Sequence, residues 1–120
     1  MDLHFKSAAE IARLIRERKV GAVEALEHFL ARVEKYNARL NAIIWLDAAR
    51  ARERARAADA ALAKGEIWGP LHGVPMTIKE SYNVAGSPTT FGSVRDIRAC
   101  QRRWQLSPKD ILISDFDEEE

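Results

Sequence analysis

Apolar residues recur at helical intervals through the first third of the chain, and later give way to short clustered runs. Ser7-Ala8-Ala9-Glu10 forms a capping box, in which the serine oxygen can accept a backbone N–H and Glu10 can reach back. Ile11, Leu14 and Ile15 then share one face, opposite Arg13, Arg16 and Glu17, which predicts an amphipathic helix over residues 8–18. Val20-Gly21 breaks it. A second helix is predicted from Ala22, with Gly21 as N-cap and Glu24 three positions on, fading near Asn37. Leu26, Phe29, Leu30, Val33 and Tyr36 make its apolar stripe. His28 lies off that stripe and is expected to be exposed.

The run from Leu40 to Leu46 is apolar without helical period, which predicts a buried strand over 42–46. Asp47 then caps a third helix reaching Lys64, with Gly65 as its stop. Alanine and arginine dominate this helix. Alanine favours helix but buries little area, so the helix is expected to lie across a surface rather than anchor a core. From Ile67 turn residues take over, in Gly69-Pro70-Leu71-His72-Gly73-Val74-Pro75. Val74, Met76 and Ile78 alternate with Thr77 and Lys79, which predicts a strand to Lys79. Pro75 lacks a ladder donor and belongs at its start or on an edge. Residues 86–93 read as a loop. Ile97, Cys100 and Trp104 fit one face of a further helix ended by Ser107-Pro108. Residues 111–113 fit a short strand, and residues 115–120 an acidic, solvated end.

Composition narrows the classes. The chain has 120 residues, a net charge of +1, 47% hydrophobic and 31% charged residues. That is too apolar and too neutral for a disordered chain, and too neutral for a general nucleic-acid binder. The length suits one domain but is small for an enzyme that must enclose a substrate. Cys100 is the single cysteine, so neither an internal disulfide nor a multi-cysteine zinc site can form. A reducing, cytoplasmic setting is the expectation. The first residues contain no apolar signal core, and no apolar run approaches the ~20 residues of a membrane span.

Few residues carry candidate chemistry. His4, His28 and His72 lack metal-helix spacing and read as structural or surface residues, so no metal or cofactor is expected. Arg50, Arg52, Arg54 and Arg56 fall on two sides of one helix without interleaved aromatics, as in a solvated face. Arg95, Arg98, Arg102 and Arg103 make a tighter patch beside the acidic end, which implies self-neutralisation rather than nucleic acid. Lys79 stands out. A lysine that closes a strand is ordinarily a surface residue, but this one follows an apolar strand between two glycine-rich loops, where partial burial would disfavour its ammonium form. A lysine whose pKa is lowered toward neutrality can act as a general base.

The run Gly69-Pro70-Leu71-His72-Gly73-Val74-Pro75-Met76-Thr77-Ile78-Lys79-Glu80 carries a family resemblance, together with Gly86, Pro88, Thr89, Thr90, Gly92 and Ser93. It resembles the N-terminal part of the amidase signature family, and the similarity covers about residues 7–93. The resemblance implies an α/β fold whose helices and first strands pack on a large mixed sheet supplied by later sequence. It also implies amide hydrolysis or transfer by a Ser–cis-Ser–Lys triad. Lys79 falls on the triad lysine, which exchanges protons with a bridging serine that activates the nucleophile. His72 occupies a structural motif position, and Glu80 stands where aspartate is frequent.

The departures define what this chain lacks. The family's two serines and its oxyanion-hole donors come from a glycine/serine-rich region downstream of the lysine, which does not occur here. Ser81, Ser87 and Ser93 lie outside any such loop. Residues 94–120 lose the resemblance abruptly, which divides the chain into a partial amidase domain (1–93) and a divergent or out-of-frame tail. The expectation is therefore a truncated amidase that keeps only the motif lysine and is inactive alone. The alternatives are a non-catalytic interaction module, or a complementing component of a longer amidase. The expected partners are a small amide in the full-length family, the missing amidase remainder, or a second copy, with no nucleic acid and no membrane. Helices without their sheet should also leave the chain marginally stable.

Overall fold

The computed structural model describes residues 2–79, 81 and 82. Residues Met1–Met76 form one compact unit and Thr77–Glu120 a second. The first unit is a 3₁₀ turn, Leu3–Phe5, followed by helices α1 (Ala8–Arg16), α2 (Ala22–Leu40) and α3 (Ala48–Ala63). The expected tail helix, the 86–93 loop, the 111–113 strand, Cys100, the 95–103 arginines, Ser87 and Ser93 lie outside the described residues.

The capping box forms as the sequence dictates. Ser7 Oγ accepts from Glu10 N–H at 3.2 Å, and the Glu10 carboxylate accepts from Ser7 N–H at 2.8 Å. These bonds hold the Glu10 carboxyl below its ordinary value, the Ser7 backbone bond contributing most. α1 ends earlier than 18, in a Schellman closure. Lys19 N–H donates to Leu14 O and Arg18 N–H to Ile15 O, both at 2.9 Å, with Arg18 at φ 55°. Gly65, at φ 82°, closes α3 in the same way, and Glu66 N–H donates to Ala61 O at 2.9 Å. The expected stop at Gly65 is thus where α3 ends.

Leu3, Ile11, Leu14, Ile15, Val20 and Ala25 make the main core, against which Phe29, Leu62 and Val74 pack. A second cluster of Ala22, Ala55 and Ala58, flanked by Val23 and Leu26, joins α2 to α3. Glu27 meets Arg52 while Ala22 meets Asp59, so the two helices run antiparallel. α3 therefore does not merely lie across a surface. Ala55, Ala58 and Ala61 are buried because methyl side chains let two helix backbones approach closely.

Gly21 offers no side chain to the start of α2, and Asp59 of α3 replaces it. Its carboxylate oxygens accept from Ala22 N–H at 2.7 Å and Val23 N–H at 3.1 Å. An N-cap borrowed from another helix fixes the antiparallel register as well as the helix end.

Three expectations are corrected. α2 continues to Leu40, past Asn37. Residues 42–46 form no strand: the Asn37 amide takes both backbone groups of Ile43, at 2.9 Å each, and Ile44, Trp45 and Leu46 are exposed. A strand needs a ladder, and no strand occurs among the described residues, so the α/β layering is not formed there. Residues 74–79 accordingly run without a partner strand. Val74 packs in the core, while Met76 and Ile78 are exposed.

Candidate functional site

The loop that leads to Lys79 is seated by two residues. His72 is 3% exposed, the one charged or polar side chain buried among the described residues. Its Nε2–H donates to Ala58 O of α3 at 3.0 Å, and its Nδ1 accepts from Trp68 N–H at 3.1 Å. These two bonds require the neutral ring with its proton on Nε2. The imidazole thereby stitches both sides of the loop to α3, a structural role that matches expectation. His72 N–H donates to Gly69 O at 3.2 Å and Val74 N–H to Leu71 O at 3.0 Å, which makes two overlapping turns.

Gly73 is the second seat. Its φ is +75°, and a Cβ there would lie 2.9 Å from Ala22 Cβ and 3.3 Å from Ile15 Cγ2. Glycine alone supplies both the left-handed turn and the close approach of the loop to the start of α2. Beside this seat the Trp68 ring is 5.0 Å from that of His72, and the Arg54 guanidinium covers Trp68 at 4.1 Å from its centroid.

Two of the α3 arginines, Arg52 and Arg54, make contacts within the molecule, while Arg54 and Arg56 stay exposed as expected of a solvated face. Arg52 donates to both Glu27 carboxylate oxygens, at 2.6 and 3.0 Å. The hydrogen bond from Arg52 holds the Glu27 carboxyl below its ordinary value, and the same contact raises Arg52. Arg54 stacks on Trp68. On α2, Lys35 and Arg32 both sit over Tyr36, and Lys35 chiefly pulls its phenol pKa down. His28 departs from its expected exposure: it is half-buried, with Nε2 3.1 Å from His4 Nδ1.

Lys79 itself is exposed, as a lysine at a strand end ordinarily is, and is not partly buried between the flanking loops. Its carbonyl accepts from Tyr82 N–H at 3.0 Å, so a turn containing the half-buried Ser81 follows directly. The structure thus brings together His72, Gly73 and the helices beneath them, but places no described serine in a nucleophile loop. Sequence reasoning missed Asp59 and Trp68. The signal for Asp59 was available: a glycine N-cap leaves helix donors that some other carboxylate must satisfy. Among the described residues no helix is long and apolar enough to cross a membrane, and no three ligating residues cluster as for a metal.

Comparison with known proteins matches the family model described as Amidase to residues 24–100. The glutamyl-tRNA(Gln) amidotransferase A-subunit of Bdellovibrio bacteriovorus is 44% identical over 93 residues, covering 78% of this chain and 19% of that protein. The protein of the same name from Acidothermus cellulolyticus is 41% identical over 92 residues, 77% of this chain and 18% of its own length. That from Moorella thermoacetica is 38% identical over 93 residues, 78% and 19% respectively. The chain spans about a fifth of the length of the curated relatives it matches.

Proposed function

The chain belongs to the amidase family, and we propose that it supplies the lysine limb of an amide-cleaving or amide-transferring site. Lys79 is the proton-transferring base of a Ser–cis-Ser–Lys triad whose two serines and oxyanion-hole donors come from polypeptide outside these 120 residues. The observation that carries this reading is the seat beneath the motif: Gly73 against Ala22 and Ile15, and His72 bonded to Ala58 and Trp68. This seat fixes the motif residues that precede the lysine in sequence.

In the assembled enzyme, residues 42–46 and 74–79 become the first strands of an α/β sheet. Exposed Ile44, Trp45, Leu46 and Met76 support this, since each would gain burial from a sheet. The desolvation that Lys79 lacks here would come from the same packing, and it would favour the neutral amine that a base requires. We take residues 1–93 as the partial amidase domain and 94–120 as a separate tail, with the family match running on to residue 100. The relatives' name directs the substrate class to amides and the partners to other amidotransferase subunits. The lone cysteine directs the setting to the cytoplasm. Alone, the chain is inactive.

A second reading is a non-catalytic module that docks on a longer amidase, favoured by the exposed residues Leu40, Ile44, Trp45 and Leu46. One experiment separates the two. Residues 1–93 replace the matched segment of the Bdellovibrio relative, and release of ammonia from glutamine is measured for the chimera and for this chain alone. Turnover by the chimera only supports the lysine limb. A folded chimera without turnover, still binding its partner subunits, favours the docking module.

A further inference from the structure

His4 in the 3₁₀ turn and His28 on α2 come from separate elements, yet their Nδ1 and Nε2 atoms lie 3.1 Å apart. We propose that this pair is a two-imidazole chelate for a borderline divalent transition ion such as Ni²⁺ or Zn²⁺, with water completing the coordination. The spacing is the first argument. Metal–nitrogen bonds of ~2.0–2.1 Å at angles between square and tetrahedral place two ligand nitrogens about 2.9–3.4 Å apart. The observed separation falls inside that range.

The surroundings give the second argument. The His4 ring is 4.2 Å from Phe5, and His28 meets Phe29 edge-on at 5.3 Å. The two imidazoles are themselves nearly parallel, 17° apart with centroids at 5.3 Å. Flanking rings restrict both imidazoles and lower the ordering cost of chelation. Both residues are half-buried, so neither is sealed from solvent. His72, with both nitrogens bonded, cannot compete for it.

The ligand count sets the class of ion. Among the described residues no third histidine, cysteine or carboxylate joins the pair. Two nitrogen donors suit ions that favour imidazole and give little to Mg²⁺ or Ca²⁺, which take oxygen. The site is open and exchangeable rather than a closed structural centre. Its effect is mechanical, since the ion ties the 3₁₀ turn carrying buried Leu3 to α2. An ion that binds only the folded chain raises its stability.

The test is a thermal melt of the untagged chain at pH 8 with NiCl2 or MgCl2. Saturating Ni²⁺ should raise the midpoint by about 4 °C or more, an ordinary response for a small domain, and Mg²⁺ should not. His4→Gln and His28→Gln should each remove the rise. Cu²⁺ broadening of histidine ring signals in the wild-type chain provides a check free of variants: His4 and His28 should broaden before His72. No rise with Ni²⁺, a rise that survives in both variants, or equal broadening of all three histidines would overturn the proposal.

Discussion

The Gly73→Ala substitution probes the seat of the loop quantitatively. Two costs act together. The first is conformational, because φ +75° belongs to the left-handed region, which costs a side-chain-bearing residue ~1–2 kcal/mol. The second is steric. The new methyl would stand 2.9 Å from Ala22 Cβ and 3.3–3.4 Å from two Ile15 carbons. Neither neighbour can retreat easily: Ala22 is locked at the start of α2 by Asp59, and Ile15 is fully buried. Overpacking of this kind costs ~1–3 kcal/mol. The expected loss is therefore about 2–5 kcal/mol, a large share of the ~5–15 kcal/mol typical of a domain. Gly65→Ala is the control. It also has positive φ, +82°, but nothing lies within 4 Å of its added carbon, so only the conformational cost applies. Urea unfolding followed by far-UV circular dichroism measures both. A loss at Gly73 no greater than that at Gly65 would refute the argument that the loop is pressed against α1 and α2.

Other substitutions test neighbouring claims. Asp59→Ala should cost about 1–2 kcal/mol in the same urea assay, as a lost N-cap does; a loss below ~0.5 kcal/mol would mean that the carboxylate does not cap α2. His72→Phe should cost ~1–3 kcal/mol, chiefly by leaving Trp68 N–H without its acceptor, since Ala58 lies within the α3 ladder, and a change below ~0.5 kcal/mol would contradict the stitching role. Glu10, Glu17 and Glu27 are all held below their ordinary value of 4.5, Glu17 chiefly by its bond from Lys19. A carboxyl depressed in the folded state contributes stability above pH 4.5 that disappears as pH falls through its folded value. The urea midpoint should thus decline below pH 4.5, and Arg52→Met should make that decline shallower; an unchanged slope would sever Glu27 from it.

What the sequence made legible depended on how local each cause was. Ser7 and Glu10 act within one turn, and Gly65 acts on the helix it ends, so these features were readable in advance. The Gly69–Glu80 run was readable as a motif for a similar reason, since its turn residues are consecutive. Asp59 acts on a helix far from it in sequence, and no window around Gly21 contains it. The pairing of His28 with His4 is likewise a tertiary contact, so an off-stripe position did not mean exposure. The expectation for α3 failed on a matter of packing: alanine was judged by the area it buries, whereas here its smallness lets α2 approach. Residues 42–46 have strand-like composition, but strand formation requires a partner that no described residue supplies.

Lys79 decides the functional account. It is exposed, and no hydrogen bond or ion pair among the described residues engages its side chain, so Lys79→Ala should change stability by less than ~0.5 kcal/mol. The most direct measurement is therefore glutamine hydrolysis by the chimera that carries residues 1–93, with and without Lys79→Ala. The account predicts turnover in the parent chimera and a loss of at least ~100-fold in kcat on substitution, as for removal of a general base. Turnover that survives the substitution within a few-fold would contradict the claim that this lysine carries the chemistry.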